Sequence, residues 1–120
     1  MKENNKPICK ECDNGTKEWR LNGKLHRDGG PAIETSYGDK YWYLNGQPHR
    51  IDGPAIEYSG DGKEWWLNGK RHRVGGPAIE YAGDTKLWYI NDIEYSKQDY
   101  YKELLKRDLI TEEEAFIGVL

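Results

Sequence analysis

The stretch Lys17-Glu18-Trp19-Arg20-Leu21-Asn22-Gly23 returns as Lys40-Tyr41-Trp42-Tyr43-Leu44-Asn45-Gly46 and as Lys63-Glu64-Trp65-Trp66-Leu67-Asn68-Gly69, one copy every 23 residues. A fourth copy, Lys86-Leu87-Trp88-Tyr89-Ile90-Asn91-Asp92, starts in register and then departs. Between the copies recur His26-Arg27, His49-Arg50 and His72-Arg73. Each pair is followed by a second motif: Gly30-Pro31-Ala32-Ile33-Glu34, Gly53-Pro54-Ala55-Ile56-Glu57 and Gly76-Pro77-Ala78-Ile79-Glu80. A fixed period of this length describes one supersecondary unit stacked on copies of itself, each unable to bury its apolar face alone.

Trp-x-Leu running into Asn-Gly predicts a hairpin, because both turn residues tolerate the positive φ that a type I′ turn requires. With Asn22-Gly23 as the turn, Leu21 faces Lys24, Arg20 faces Leu25 and Trp19 faces His26. The same counting sets Trp42 opposite His49, Trp65 opposite His72 and Trp88 opposite Tyr95. Gly-Pro then breaks the ladder, and Ala-Ile-Glu-Tyr reads as a further strand before the next loop. No helix fits within one repeat. Two main strands per repeat at ~4.8 Å spacing predict a sheet on the order of 40 Å long.

The bulk composition suits such a thin sheet. Of 120 residues only 36% are hydrophobic and 32% are charged, with one Phe and one Met but five Trp and nine Tyr. A net charge of −3 argues against a dedicated nucleic-acid binder, which carries a basic stripe. No apolar run reaches membrane-span length and no signal-peptide core follows Met1, so a soluble intracellular protein is expected.

This pattern resembles the MORN repeat in its shorter bacterial and viral variant, built around Asn-Gly-Lys-x-His and Gly-Pro-Ala-x-Glu-Tyr. The resemblance runs from Lys17 to Tyr95, with Trp where Tyr is more usual and Arg after the His where glycine is common. It implies an elongated antiparallel β-meander used as a binding platform with no shared chemistry. Relatives of this look occur in bacteria and their large phages. That implies action in the cytoplasm of a bacterial host, in one concrete version as a phage-encoded inhibitor of a host defence protein such as a nuclease.

The expected organisation is a degenerate cap over residues 1–16, the repeat array over 17–95 and a helical cap over 96–120. Sliding the repeat back one period sets Cys9 on Ala32 and Glu11 on Glu34, which makes residues 7–12 a decayed Ala-Ile-Glu strand on the array's edge. Cys9 and Cys12 also have the spacing of half a zinc site or of a thiol redox pair. Two thiols do not fill a tetrahedral shell, which leaves a site shared between subunits as the alternative. At the other end Ser96 is a candidate N-cap for a helix with Tyr100, Tyr101, Leu104 and Leu105 as its apolar stripe. Thr111 and Glu114 form a candidate capping box for a second helix. These helices are expected to cover the last hairpin, with docking to a partner through Ile117, Val119 and Leu120 as the rival role.

No catalytic constellation emerges. The three histidines sit one period apart, roughly 10 Å or more, too far to share a metal ion that needs ligands at about 2 Å. Each faces a Trp and is read as a packing residue, while Glu34, Glu57 and Glu80 are placed to pair with Arg27, Arg50 and Arg73. No enzyme activity, metal or cofactor is expected. Trp and Leu make one face, the expected core, whereas Arg20, Tyr43, Trp66 and Tyr89 point to the other. Arg71 stands beside Trp66 as a cation–π candidate, with Tyr58 and Tyr81 adjoining.

Arg20, Tyr43, Trp66, Arg71, Tyr89, Tyr58 and Tyr81 are therefore the candidate partner-binding set, because Tyr, Trp and Arg dominate interface hot spots. The first reading is a protein partner, with self-association left open. The alternative is a nucleotide-sequestering protein, with aromatics stacking a base and Arg27, Arg50 and Arg73 holding phosphates. A lipid-surface role lacks the polybasic cluster it needs.

Overall fold

The computed structural model describes residues 6–120. The chain is mainly β, with two C-terminal helices. In the long sheet, strands Ile8–Glu11, Lys17–Leu21, Ile33–Glu34, Lys40–Tyr41, Ile56–Glu57, Lys63–Glu64, Ile79–Tyr81, Thr85–Ile90 and Ile93–Tyr95 lie side by side in chain order. All their pairings are antiparallel. The molecule measures 53 × 38 × 19 Å. No helix among the described residues is long and apolar enough to cross a membrane.

The Asn-Gly turns behave as their chemistry dictates. Asn22, Asn45 and Asn68 have φ of 52°, 52° and 50°, and the glycines that follow have 81°, 80° and 78°. Arg20 pairs with Leu25, Tyr43 with Pro48, Trp66 with Arg71 and Tyr89 with Glu94, the register read from the sequence.

Two of the long strands are not continuous, contrary to the simple meander. They break at Trp42 and Trp65, leaving hairpins Tyr43–Leu44/Gln47–Pro48 and Trp66–Leu67/Lys70–Arg71 as separate two-stranded pieces. The Trp is where the chain changes partners. Trp42 N–H donates to the Ala55 carbonyl at 2.6 Å, and the Trp42 carbonyl accepts from His49 N–H at 3.0 Å. The first half of each strand thus belongs to the long sheet and the second half to its own hairpin.

Along the long sheet, opposite charges alternate from strand to strand. Glu11, Lys17, Glu34, Lys40, Glu57, Lys63, Glu80 and Lys86 form one row of directly opposed pairs. Each pair contributes only ~0.2–1 kcal/mol, but a one-residue slip would break the whole row and turn every side chain to the wrong face. Glu11 meets Lys17 as Glu34 meets Lys40, so the edge strand Ile8–Glu11 repeats the pairing of an Ala-Ile-Glu strand.

Helices α1 (Lys97–Lys106) and α2 (Glu112–Val119) follow the last hairpin. Ser96 Oγ accepts from Asp99 N–H, and Thr111 and Glu114 complete a reciprocal capping box. Tyr100, Tyr101 and Leu104 of α1 close over Ile90, with Trp88, Tyr95, Ile110 and Val119 packed around them. The Tyr100 hydroxyl donates to the Arg73 carbonyl and accepts from Gly75 N–H, which ties the cap to the third repeat. α2 lies close on α1, since a Cβ at Gly118 would stand 2.3 Å from the Tyr101 ring.

Candidate functional site

The two faces of the sheet are built from different materials. On the Trp face one arrangement is repeated three times. The guanidinium carbons of Arg27, Arg50 and Arg73 lie over Trp19, Trp42 and Trp65 at 3.9, 3.8 and 3.6 Å. Each donates to a proline carbonyl, of Pro31, Pro54 and Pro77, at 3.0–3.1 Å. Each also pairs with Glu34, Glu57 or Glu80 at 3.7, 3.0 and 3.6 Å. The glycine of Gly-Pro-Ala makes room for this cation, because a Cβ at Gly30, Gly53 or Gly76 would stand 2.8–2.9 Å from the guanidinium. The glycine of the ladder-breaking Gly-Pro thus has a second use in its smallness.

The Trp and Leu face, the expected core, is less well covered than that expectation implies. Trp19, Trp42 and Trp65 are only half-buried, roofed by arginine, and the fully enclosed residues beside them are Ala32, Ala55 and Ala78. A plate one sheet thick has no second layer to cover them.

The histidines also do more than pack. His26 Nδ1 accepts from Asn45 N–H of the next repeat at 3.0 Å, His49 Nδ1 from Asn68 at 2.9 Å and His72 Nδ1 from Asn91 at 3.0 Å. Two backbone bonds accompany each, as in Arg27 N–H to Tyr43 carbonyl and Gly46 N–H to Leu25 carbonyl. Every junction between hairpins is stitched the same way. Burial, and then the charge of Arg107, hold His72 below its ordinary pKa, as suits a ring that must stay neutral to accept.

On the opposite face the candidate residues converge in part. Glu64 is buried, 6% exposed, and its carboxylate receives three donors. Tyr58 and Tyr81 hydroxyls both donate to Oε2 at 2.8 Å, and the Trp66 indole donates to Oε1 at 2.9 Å. Tyr58 meets Tyr81 at a tilt of 56° on one side and Tyr41 edge-on on the other, both at 6.3 Å between centroids. The hydrogen bond to Glu64, and then burial, push the Tyr81 hydroxyl up to about 12. Tyr58 is raised too, first by burial and then by Glu64.

Arg71 and Tyr89 form a neighbouring pair. Arg71 lies 5.8 Å from the Trp66 ring and nearer, 4.4 Å, over Tyr89. It donates to the Tyr89 hydroxyl at 3.2 Å and to Asp92 at 2.6 Å, and that bond holds the Asp92 carboxyl below its usual range. Tyr89 is 7% exposed, so its ring is largely spent inside the fold. Arg20 stands apart, bonded to Glu18 and the Gly23 carbonyl. Tyr43, half-buried, lies one hairpin towards the N-terminus from Trp66. The sequence reading missed Glu64 and Tyr41. The repeat position of Glu64 is shared by Glu18, Tyr41 and Leu87, a mixture of charged and apolar residues that does not mark it as buried.

Alternation also sorts charge. Among the described residues, the Trp face of the strands and their loops takes the lysines of the opposed-charge row, Lys24, Lys70 and the three stacked arginines. On the strands the lysines of that row stand against Glu11, Glu34, Glu57 and Glu80, and Asp52 pairs with Arg50. Cys9 and Cys12 are free thiols, and no group of three or more metal-ligating side chains gathers among the described residues. Comparison of this chain with protein-family models, curated proteins and solved structures finds no match.

Proposed function

We propose that this chain is a non-catalytic protein-binding module that engages its partner through Tyr41, Tyr58, Tyr81 and Trp66. The observation that carries the reading is the Glu64 carboxylate, which fixes three of these four aromatic groups on one face. Aromatic anchors already held in place lose little freedom on binding, so more of their contact energy remains as affinity. The finer version is a phage-encoded inhibitor of a host defence protein such as a nuclease, acting in the bacterial cytoplasm. It is supported by the resemblance to the short MORN repeat alone.

The nucleotide-sequestering alternative draws on Arg27, Arg50 and Arg73 as phosphate ligands. Those guanidinium groups are already engaged by Trp, proline carbonyl and Glu, which weighs against it.

The test is capture from bacterial lysate with the tagged protein, run beside the Tyr81→Ala/Trp66→Ala variant. One stoichiometric protein, retained by the wild type and lost by the variant, is the expected outcome. A clean lane from wild type at matched loading would overturn the reading.

A further inference from the structure

The long sheet ends on two open edges that are not alike. At one end the strand Ile8–Glu11 pairs only with Lys17–Leu21, and no strand lies on its other side among the described residues. At the other end the second half of Thr85–Ile90 pairs with Ile93–Tyr95, while its first half, residues 85–87, pairs only with Ile79–Tyr81. Inside the array the corresponding place is always filled by an Ala-Ile-Glu strand. There Lys17 stands opposite Glu34, Lys40 opposite Glu57 and Lys63 opposite Glu80. Trp19, Trp42 and Trp65 N–H donate to the Ala32, Ala55 and Ala78 carbonyls at 2.6–2.7 Å. Trp88 has no such strand beside it among the described residues. The helices do not supply one, because they lean back over the third repeat. Tyr100 bonds the loop of Arg73, Gly75 and Gly76, the charge of Arg107 reaches His72, and α2 lies beside Gly75.

We infer that the strand Ile8–Glu11 of one molecule adds to the open half of Thr85–Ile90 in a second copy, in the register the array uses internally. Glu11 then stands opposite Lys86, and Trp88 N–H donates to the Cys9 carbonyl. The opposed-charge row is what singles out this partner. Every interior member of the row stands between two opposite charges, whereas Glu11 has only Lys17 and Lys86 only Glu80. One end of the row lacks a cation and the other a carboxylate, so a second copy completes both. Cys9 fits as well. It holds the repeat position of Ala32, which lies between the strands of Trp19 and Trp42 and is fully enclosed. Cys9 has the strand of Trp19 on one side only and is exposed. The hairpins agree. Arg71 reaches Tyr89 of the next hairpin at 3.2 Å, and the same count brings Glu94 to Arg20 of the second copy. Arg20 is exposed, and its bonds to Glu18 and the Gly23 carbonyl use two of its five donors. Lys10 comes opposite Leu87, which its aliphatic stem can cover. Main-chain bonds supply the affinity of such strand addition and the charges its register. Each contact joins unlike ends and leaves one of each kind free, so growth is open-ended. This inference is independent of the aromatic patch around Glu64.

Sedimentation velocity from micromolar to near-millimolar concentration tests it, with melting curves to confirm that each variant folds. Wild type should form species that lengthen with concentration and shorten as salt rises. Glu11→Lys and Lys86→Glu each set like charges against each other at the contact, and each should weaken association by about tenfold or more. An equimolar mixture of the two should associate better than either alone, because unaltered ends meet each other and the altered ends are again opposite in charge. In a Cys12→Ser background, Cys9 should react more slowly with a thiol reagent as concentration rises. A wild type that stays monomeric overturns the inference, as does growth that stops at a dimer. So does association indifferent to Lys86→Glu, which a pairing of two Ile8–Glu11 edges would show, a mixture no better than its components, or an unchanged Cys9 rate.

Discussion

The Trp face and the face across the sheet from it are made by the same strands, yet they vary differently from one repeat to the next. On the Trp face the Trp, His, Arg, Gly, Pro, Ala and Glu are identical in all three full copies, and each contact they make recurs at the same place. Across the sheet, Ile33, Ile56 and Ile79 aside, the copies diverge. Glu18, Tyr41, Glu64 and Leu87 share one position; Arg20, Tyr43, Trp66 and Tyr89 share another. A joint that must fit a copy of itself has no freedom to vary, whereas a surface outside the joint can be made different in each repeat. The individual face is therefore where a single site can arise, and Glu64 with its three donors is the one that did.

The sharpest way to break that contrast is to substitute adjacent residues on opposite faces. Trp65→Ala removes the ring beneath Arg73 and opens the joint, and should cost about 3 kcal/mol in denaturant unfolding. Trp66→Ala leaves Glu64 with both tyrosine donors and should cost about 1 kcal/mol. Equal losses would mean that both faces are structural. Within the individual face, Glu64→Gln should cost about 2 kcal/mol, since it weakens the charge-assisted bonds of a buried carboxylate to half-buried Tyr58 and Trp66 and to exposed Tyr81. It should also bring the Tyr81 hydroxyl down from about 12, read by ultraviolet titration. Glu18→Gln, at the same repeat position but in an exposed pair with Arg20, should change stability by less than about 0.5 kcal/mol. Asn68→Ala, at φ 50°, should cost about 1 kcal/mol in thermal melting, because a Cβ residue without a polar side chain resists that conformation.

The smallest expected effect is a pH dependence of the joint. Burial holds the folded pKa of His72 below 6.5, so the unfolded chain binds that proton more readily. Its contribution is complete above about pH 6.5 and is lost as pH falls through the folded value. Tm should decline modestly from about pH 7 to about 5.5, and His72→Gln, which keeps an acceptor, should flatten part of that slope. A rise in Tm on acidification would contradict the neutral, accepting ring.

Much of the fold was legible because it was written in local chemistry and repeated. Asn-Gly set the turn and its register, Ser96 and Thr111 set the helix starts, and alternation assigned faces to Trp65 and Trp66. What could not be read depended on contacts across repeats. Nothing near His26 in sequence announces that its ring accepts from Asn45, nineteen residues on. Arg27 could be matched with Glu34 by charge, but its place over Trp19 is a contact that only the folded backbone supplies. Glu64 was harder still, since a charged residue is ordinarily given to solvent. The burial of Tyr89 depends on Ile79 and Leu87 meeting beside it.

The joint between repeats has one further consequence. Because the three junctions use the same two backbone bonds and the same histidine-to-asparagine bond, each repeat senses only its immediate neighbours. Length is then a free parameter of this architecture. A block of 23 residues spliced between Asn45 and Asn68 would find a ready acceptor behind it and present one ahead, while the Tyr100 tether to Arg73 would still close the end.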